Sequence, residues 1–355
     1  MSTMGRFYVV GAEDFRWGEV FNSLPELQRD VYFSQSYGLL NAHHIYPGHQ
    51  VMCAIQEFND SNLLYPFVMR NIREVSGYDD APDYRDIRGL YGRSGIAIGV
   101  NAQAGKQVFW SNMIEFCLKN SVVSSFGRVH PAMLDGYASD LAFSMIELGS
   151  EIIVDTSVGN NIFLANAHHS VRKNFRKATD VGLEFRELES NEDIMNVYDI
   201  YLDTLERNAA PNFYKFNLKF FKDLFSLESH SVKIYTARLE GEIVAFEIVL
   251  TGGMYAHSYL GGTKSSALQL QANTFLKVRI VQKLHELGFK KFYLGGGASV
   301  GDPIFKYKKG FAPNSIVTSH IESDIIDKVK YEKVKKYFVE NMLPMRADRI
   351  QFYEP

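Results

Sequence analysis

Three β-rich runs, Val232 to Leu239, Glu242 to Thr251 and Met254 to Leu260, follow one another with only Glu240-Gly241 and Gly252-Gly253 between them, dipeptides that suit hairpin turns. Connections this short predict a three-strand antiparallel meander. A helix from about Ala272 to Gly288, with Gly288 as its C-cap, and a strand over Lys291 to Leu294 complete a β-β-β-α-β unit. The first half of the chain has a similar order. Val51 to Phe58 and Leu63 to Arg70 form a hairpin around Asn59-Asp60-Ser61-Asn62, Lys106 to Lys119 is helical, and Ser125 to His130 and Glu151 to Asp155 are strands. Helices are predicted ahead of each set, over 17–30 and up to about His44 with Ser34 or Ser36 as cap, then over Asn160 to Gly182, Asp193 to Asn208 and Leu218 to Leu227. A strand near Ile316 to Ile321 and a Lys-rich helix from about Asp324 to Asn341 follow. The class is therefore α+β, with two similar units and a boundary near Asp155 to Asn161.

The length of 355 residues suits two domains, and 46% hydrophobic with 22% charged residues is the composition of a globular chain. A net charge of −3 supplies no global field for nucleic acid or an anionic membrane. Cys53 and Cys117 are far apart and outside any C-x-x-C spacing, which fits a reducing compartment and offers neither a disulfide framework nor a zinc site. No signal h-region precedes Trp17 and no run of about 18 apolar residues occurs, so a cytoplasmic location and no metal are expected.

Two segments stand out for chemistry. Leu294-Gly295-Gly296-Gly297-Ala298-Ser299-Val300-Gly301-Asp302-Pro303 follows a strand, and its glycines let backbone approach a ligand. No helix is expected to open after it, which excludes a dinucleotide fingerprint. Lys306, Lys308 and Lys309 come next, a charge set able to hold phosphate oxygens or a developing oxyanion. The second segment is Arg172-Lys173-Asn174-Phe175-Arg176-Lys177, where helical spacing puts Arg172 with Arg176 and Lys173 with Lys177 in adjacent rows. His168 and His169 are sequence neighbours and do not form an i, i+4 metal pair. Asp86, Glu247 and Asp302 are candidate general bases with no further signal to choose among them. The chain has no G-x-S-x-G, H-E-x-x-H, Walker A or EF-hand pattern.

Taken together these motifs resemble the FemABX-like branch of the GNAT acyltransferase superfamily, which includes peptidoglycan aminoacyltransferases and related proteins of polysaccharide clusters. The similarity runs in order through Tyr32-Phe33-Ser34-Gln35-Ser36, Leu90-Tyr91-Gly92-Arg93-Ser94-Gly95 and Arg128-Val129-His130-Pro131. It continues through Ile153-Val154-Asp155-Thr156-Ser157, Arg172 to Ala178, Arg207 with Phe213-Tyr214, Tyr293-Leu294-Gly295-Gly296 and Tyr307-Lys308-Lys309-Gly310-Phe311. Three features depart from the family pattern: Leu294 replaces the aspartate before the glycines, Leu39-Leu40-Asn41 lacks a lysine, and no glycine follows Gly262 where a pyrophosphate loop is usual.

The resemblance implies two tandem GNAT-like (acyl-CoA N-acyltransferase) domains, 1–157 and 158–355, each a mixed, mostly antiparallel sheet flanked by helices. It implies an acyltransferase moving an acyl or aminoacyl group onto an amino group of a sugar or cell-surface glycan precursor. Acyl-CoA, acyl carrier protein or aminoacyl-tRNA would be the donor, and no tightly bound cofactor is expected. The alternatives are a charged-tRNA-dependent transferase acting on a muramyl-peptide precursor, and a non-catalytic binding module in a glycan-synthesis complex. Carried over residue by residue, Lys308 is the catalytic lysine. Arg207, Tyr214, Lys306, Lys309, Gly295, Gly296, Arg172, Lys173, Arg176 and Tyr91 are substrate-binding.

Overall fold

The strand-rich runs fall into two compact units: Met1–Leu148 with Ser319–Pro355 form the first and Gly149–Thr318 the second. The computed structural model describes residues 5–58, 61–188, 193–227, 231–297 and 302–354. Residues 59–60 of the expected hairpin turn and 298–301 of the glycine-rich loop lie outside the described residues.

The first unit opens with β1 (Arg6–Gly11), α1 (Phe15–Ser23), α2 (Gln35–Leu40), β2 (Gln50–Phe58), β3 (Ser61–Asn71), α3 (Ile72–Ser76), β4 (Arg85–Arg88), β5 (Ala97–Ile98), α4 (Lys106–Lys119) and β6 (Val122–Val129). The helix expected over 17–30 stops at Ser23. Leu24 precedes Pro25, whose ring disfavours the α region for its neighbour, and Leu24 sits at ψ 154°. Ser34 caps α2 as expected, accepting from the Tyr37 N–H. β1 was not expected from the sequence; it pairs antiparallel with β2 from Arg6↔Glu57 to Gly11↔Met52. Alternation along β6 splits the core, with Val122 packed among Phe109, Trp110 and Met113 of α4 and Val123 facing away from them.

The second unit runs β7 (Met145–Asp155), α5 (Asn160–Asn166), α6 (His169–Asp180), β8 (Glu184–Glu187), α7 (Ile194–Arg207), α8 (Leu218–Phe225), β9 (Val232–Leu239), β10 (Glu242–Gly252), β11 (Tyr255–Thr263), α9 (Ala272–Glu286), β12 (Lys291–Gly295) and α10 (Pro303–Lys309), β7 beginning just before the boundary. Its sheet order is β7-β12-β11-β10-β9-β8. β10 is buried from Ile243 to Thr251, a run apolar but for Glu247 and Thr251, as in a strand covered on both faces. One face carries Phe163, Val171, Phe275, Leu276 and Val281 of α5, α6 and α9, while α7 packs on β10 and β11 from the other. The expected helix Asn160 to Gly182 is two helices, because Ala167 and His168 are extended and the His168 ring caps α6. α10 corrects the expectation that no helix follows the glycine-rich loop. The Asp302 carboxylate accepts from the Ile304 N–H at 2.6 Å and Pro303 takes the first helical position, an N-cap with a proline behind it.

The chain then returns to the first unit through β13 (Ile316–Ile325) and α11 (Lys328–Glu340). This differs from the expected division at 157/158, which placed the whole C-terminal segment in the second domain. β13 pairs antiparallel with β6 from His320↔Val129 to Ile325↔Ser124, giving the strands of the first unit the order β1-β2-β3-β4-β6-β13, and Tyr331, Val334 and Phe338 of α11 pack with Val123, Phe352 and Tyr353. A buried ionic clamp locks the segment down. Arg70 donates to both Asp86 oxygens at 2.9 and 2.7 Å, to Glu354 at 2.6 Å and to Gln351 at 3.0 Å, and the Tyr353 hydroxyl donates to Asp86 at 2.7 Å.

Removing one member of a buried pair strands the remaining charges, so Arg70→Met should cost about 3–5 kcal/mol in urea unfolding; a loss under about 1 kcal/mol, the range of an exposed pair, contradicts the clamp. Burial alone would raise the Glu354 carboxyl, but Arg88 and Arg70 outweigh it and hold the group below its ordinary value. Its contribution is therefore present above the ordinary carboxylate range and lost as pH falls through the lowered value. Stability measured from pH 7 downwards should fall less in Glu354→Gln than in the parent protein, and parallel curves would refute the coupling.

Candidate active site

In the second unit, β11 and β12 form a parallel ladder of only three pairs: Tyr255↔Lys291, Ala256↔Phe292 and His257↔Tyr293. Both strands change course where it stops. On β11, Tyr259 is an extra residue between the pairs Val249↔Ser258 and Ile248↔Leu260 with β10. On β12, Leu294 is an extra residue between Tyr293↔Ile153 and Gly295↔Ile152 with β7. Bulges bend a strand and raise its local twist, so the two strands part beyond His257 and Tyr293. At the last pair the His257 ring stacks on Tyr293, centroids 4.9 Å apart, with Tyr255 edge-on to Tyr293 at 5.8 Å.

The glycine pair lies at the end of β12. Gly295 has φ +72°, a left-handed conformation that favours glycine. The Lys308 ammonium donates to the Gly296 carbonyl at 2.8 Å, and a Cβ on Gly295 would lie 3.6 Å from that nitrogen. Lys308 is half-buried, while Lys306 and Lys309 on the same helix are exposed. Burial pushes the intervening Tyr307 hydroxyl up. At the other end of α10, the His168 N–H donates to the Gly310 carbonyl at 2.8 Å, joining the start of α6 to the end of α10. Thus the two basic segments, far apart in sequence, meet in one unit. The His168 and His169 rings touch, with centroids 4.6 Å apart, because His168 is the cap and lies outside the helix.

Several expected ligand groups have structural partners. Arg172 donates to the carbonyls of Leu164 at 3.2 Å, Ala165 at 3.1 Å and Ala167, which satisfies the C-terminal end of α5. Lys173 and Arg176 remain exposed, and Arg176 lines an open groove with Leu164, Phe175, Thr179 and Asp180. Arg207 donates to Asp203 at 3.1 Å, to the Thr263 carbonyl at 3.1 Å and to the Ser265 hydroxyl at 2.9 Å, tying α7 to the end of β11. Hydrogen bonds from Ser265, together with Arg207, hold the Asp203 carboxyl below its ordinary value despite opposing desolvation. Tyr214 is exposed beside Phe213, its carbonyl accepting from the Tyr201 hydroxyl. Tyr91 belongs to the first unit, where its N–H donates to Asn41 at 2.9 Å and its carbonyl accepts from Tyr37 at 2.7 Å.

The three candidate bases are all engaged: Asp86 in the Arg70 clamp, Asp302 as the α10 cap, and Glu247 with the Lys277 ammonium. The segment that lacks a glycine-rich pyrophosphate loop forms a 3-10 turn, Ser265–Leu270, followed by Gln271 at φ +61° before α9. Lys277 escaped the sequence reading. Its signal is a single lysine among Phe275, Leu276, Val278 and Val281, all buried on α9.

Residues 165–309 match the profile of the acetyltransferase (GNAT) domain. No curated protein sequence matches this chain. Among solved structures, FemX is similar at a TM-score of 0.70 and 9% identity, covering 92% of this chain and 99% of that one. L-PGS from Bacillus licheniformis is similar at 0.54 and 14% identity, covering 89% and 97%. The C-terminal domain (DUF2156) of a putative lysylphosphatidylglycerol synthetase from Agrobacterium fabrum gives 0.52 and 15%, covering 91% and 96%. At these identities the structures establish a shared fold, and the profile match places β11, α9, β12 and α10 inside the matched domain. Residues 165–309 are thus similar to the GNAT acetyltransferase domain, and the chain has the fold of FemX.

Proposed function

We propose that this protein is an acyltransferase that takes an acyl group from acyl-CoA and places it on the amino group of a sugar or surface-glycan precursor. The observation that carries this reading is the opening between β11 and β12, with the Lys308 ammonium at its β12 end. An extended thioester arm laid between the parted strands meets backbone groups that no longer serve the β11/β12 ladder. Its carbonyl then lies toward Gly295, Gly296 and Lys308. The acceptor nitrogen attacks that carbonyl, the new C–N bond forms, and the C–S bond breaks as CoA leaves as a thiolate. Lys308 steadies the negative charge that builds on the carbonyl oxygen, and its bond to Gly296 holds the ammonium before the donor arrives.

Lys306 and Lys309, exposed on the same helix, and Lys173 and Arg176, exposed on the adjoining α6, suit phosphates of the donor or of a nucleotide-linked acceptor. Arg172 and Arg207 act in this reading by shaping the site, as helix cap and strand-end tie. With the three carboxylates occupied, the proton of the acceptor amine passes to water or to the substrate itself. Transfer of an aminoacyl group from charged tRNA to a muramyl-peptide precursor is the second reading, which rests on the motif resemblance through Arg172 to Ala178 and Tyr307-Lys308-Lys309-Gly310-Phe311.

The test is thiol release from acetyl-CoA and longer thioesters with a panel of amino sugars and UDP-amino sugars. Lys308→Ala should lose roughly 100- to 1,000-fold in kcat/KM, the effect of deleting one oxyanion-stabilising donor, while its thermal unfolding stays close to the parent's. Full turnover in that variant removes Lys308 from the site. Transfer from charged tRNA with none from any thioester replaces the donor by the second reading.

A further inference from the structure

A lysine and a glutamate are buried together beside the place where β11 and β12 part. Lys277 on α9 and Glu247 on β10 are about 5% and 2% exposed and form an ion pair. The same ammonium donates to the Ser258 hydroxyl on β11 at 3.0 Å and lies 5.4 Å from the centre of the Phe292 ring on β12. One side chain thus touches three consecutive strands. Its contacts sit at the critical register: Ser258 directly precedes the extra residue Tyr259, and Phe292 belongs to the ladder pair next to the last one.

Core cohesion does not explain this lysine. Its neighbours Phe275, Leu276, Val278, Ile280, Val281 and Leu284 already bury an apolar face on α9, and a methionine would extend it. A buried ion pair is a poor source of stability compared with apolar residues of similar volume, because two charges must be desolvated. What it adds is direction. Apolar side chains slide over one another, whereas an ammonium held by a carboxylate and a hydroxyl fixes the spacing of the strands that carry them.

We propose that Lys277 is a positioning residue for the acyl donor: anchored by Glu247, it pins β10, β11 and β12 and sets the width of the opening that receives the thioester arm. The inference rests on the acyl-CoA reading above and adds a residue and a role to it. Lys277 acts through Ser258 and Phe292 and takes no part in bond making.

The experiment is calorimetric titration of the full chain with coenzyme A, for the parent, the double variant Lys277→Met with Glu247→Leu, and Ser258→Ala. The double variant removes both charges together and is expected to unfold near the parent's temperature. Its Kd for coenzyme A should rise about tenfold, and that of Ser258→Ala, which keeps the ion pair and cuts only its link to β11, roughly threefold. In acetyl-CoA turnover the loss should fall on the KM for the thioester, with kcat at saturating donor unchanged, a split that a purely structural role does not produce. Parent-like affinity in both variants overturns the pin and leaves the donor reading standing. If the double variant fails to fold, Ser258→Ala decides alone. A parent protein that does not bind coenzyme A defeats the donor reading and the pin with it.

Discussion

Backbone hydrogen bonding between β11 and β12 ends after three pairs, and the arrangement of the second unit follows from that interruption. Strands inside a sheet ordinarily satisfy each other's N–H and C=O groups along their shared length, because an unpaired backbone group away from water is costly. Here Tyr259 and Leu294 shift register against the outer partners β10 and β7, so each strand keeps its outside ladder and abandons the inside one. Gly295 then turns through the left-handed region and brings backbone to the Lys308 ammonium. α10 is short, yet Asp302 and Pro303 fix its start, and the His168 N–H fixes its end through Gly310. Lys308 is thereby held from both ends of its helix.

The first unit has a comparable sheet with a different use of charge. Its β4 and β6 are also parallel neighbours, with a register shift between Arg85↔Val122 and Ile87↔Ser125. Beside them Arg70 donates to Asp86, Glu354 and Gln351, and Tyr353 donates to Asp86. Further in, the Glu322 carboxylate accepts from Tyr65 at 2.6 Å and from Tyr137, and burial pushes its carboxyl up. These groups satisfy one another inside the protein. Such closed networks hold a chain segment in place, and here they secure β13 and the residues after α11. In the second unit, basic side chains on α6 and α10 stay exposed.

Much of the fold was legible in the sequence wherever period and turn chemistry agreed. The meander was readable because Glu240-Gly241 and Gly252-Gly253 leave no alternative connection, and α4 and α9 because their apolar positions repeat at helical spacing. The misses have physical causes. Six residues of β1 gain their order from β2, a partner some 45 residues away, which no local pattern records. Asp302-Pro303 suits either a turn or a helix start, and only the contact of Gly310 with His168 distinguishes them. The return of residues 319–355 to the first unit depends on pairing with β6 and on the Arg70 clamp, both remote in sequence. At the site, charge type was visible and charge use was not. Arg172 and Arg207 read as ligand groups, yet carbonyls at the ends of α5 and β11 claim them, while Lys277 hides within an apolar stripe.

The measurement that tests this account most directly is amide hydrogen exchange of the full chain with and without coenzyme A. Protection should rise in Ser258 to Thr263 of β11 and in Leu294 to Gly296 at the end of β12, where the ladder between the two strands has stopped. Saturable binding that leaves these amides unchanged and protects another part of the chain would contradict a donor site built on the parting of β11 and β12.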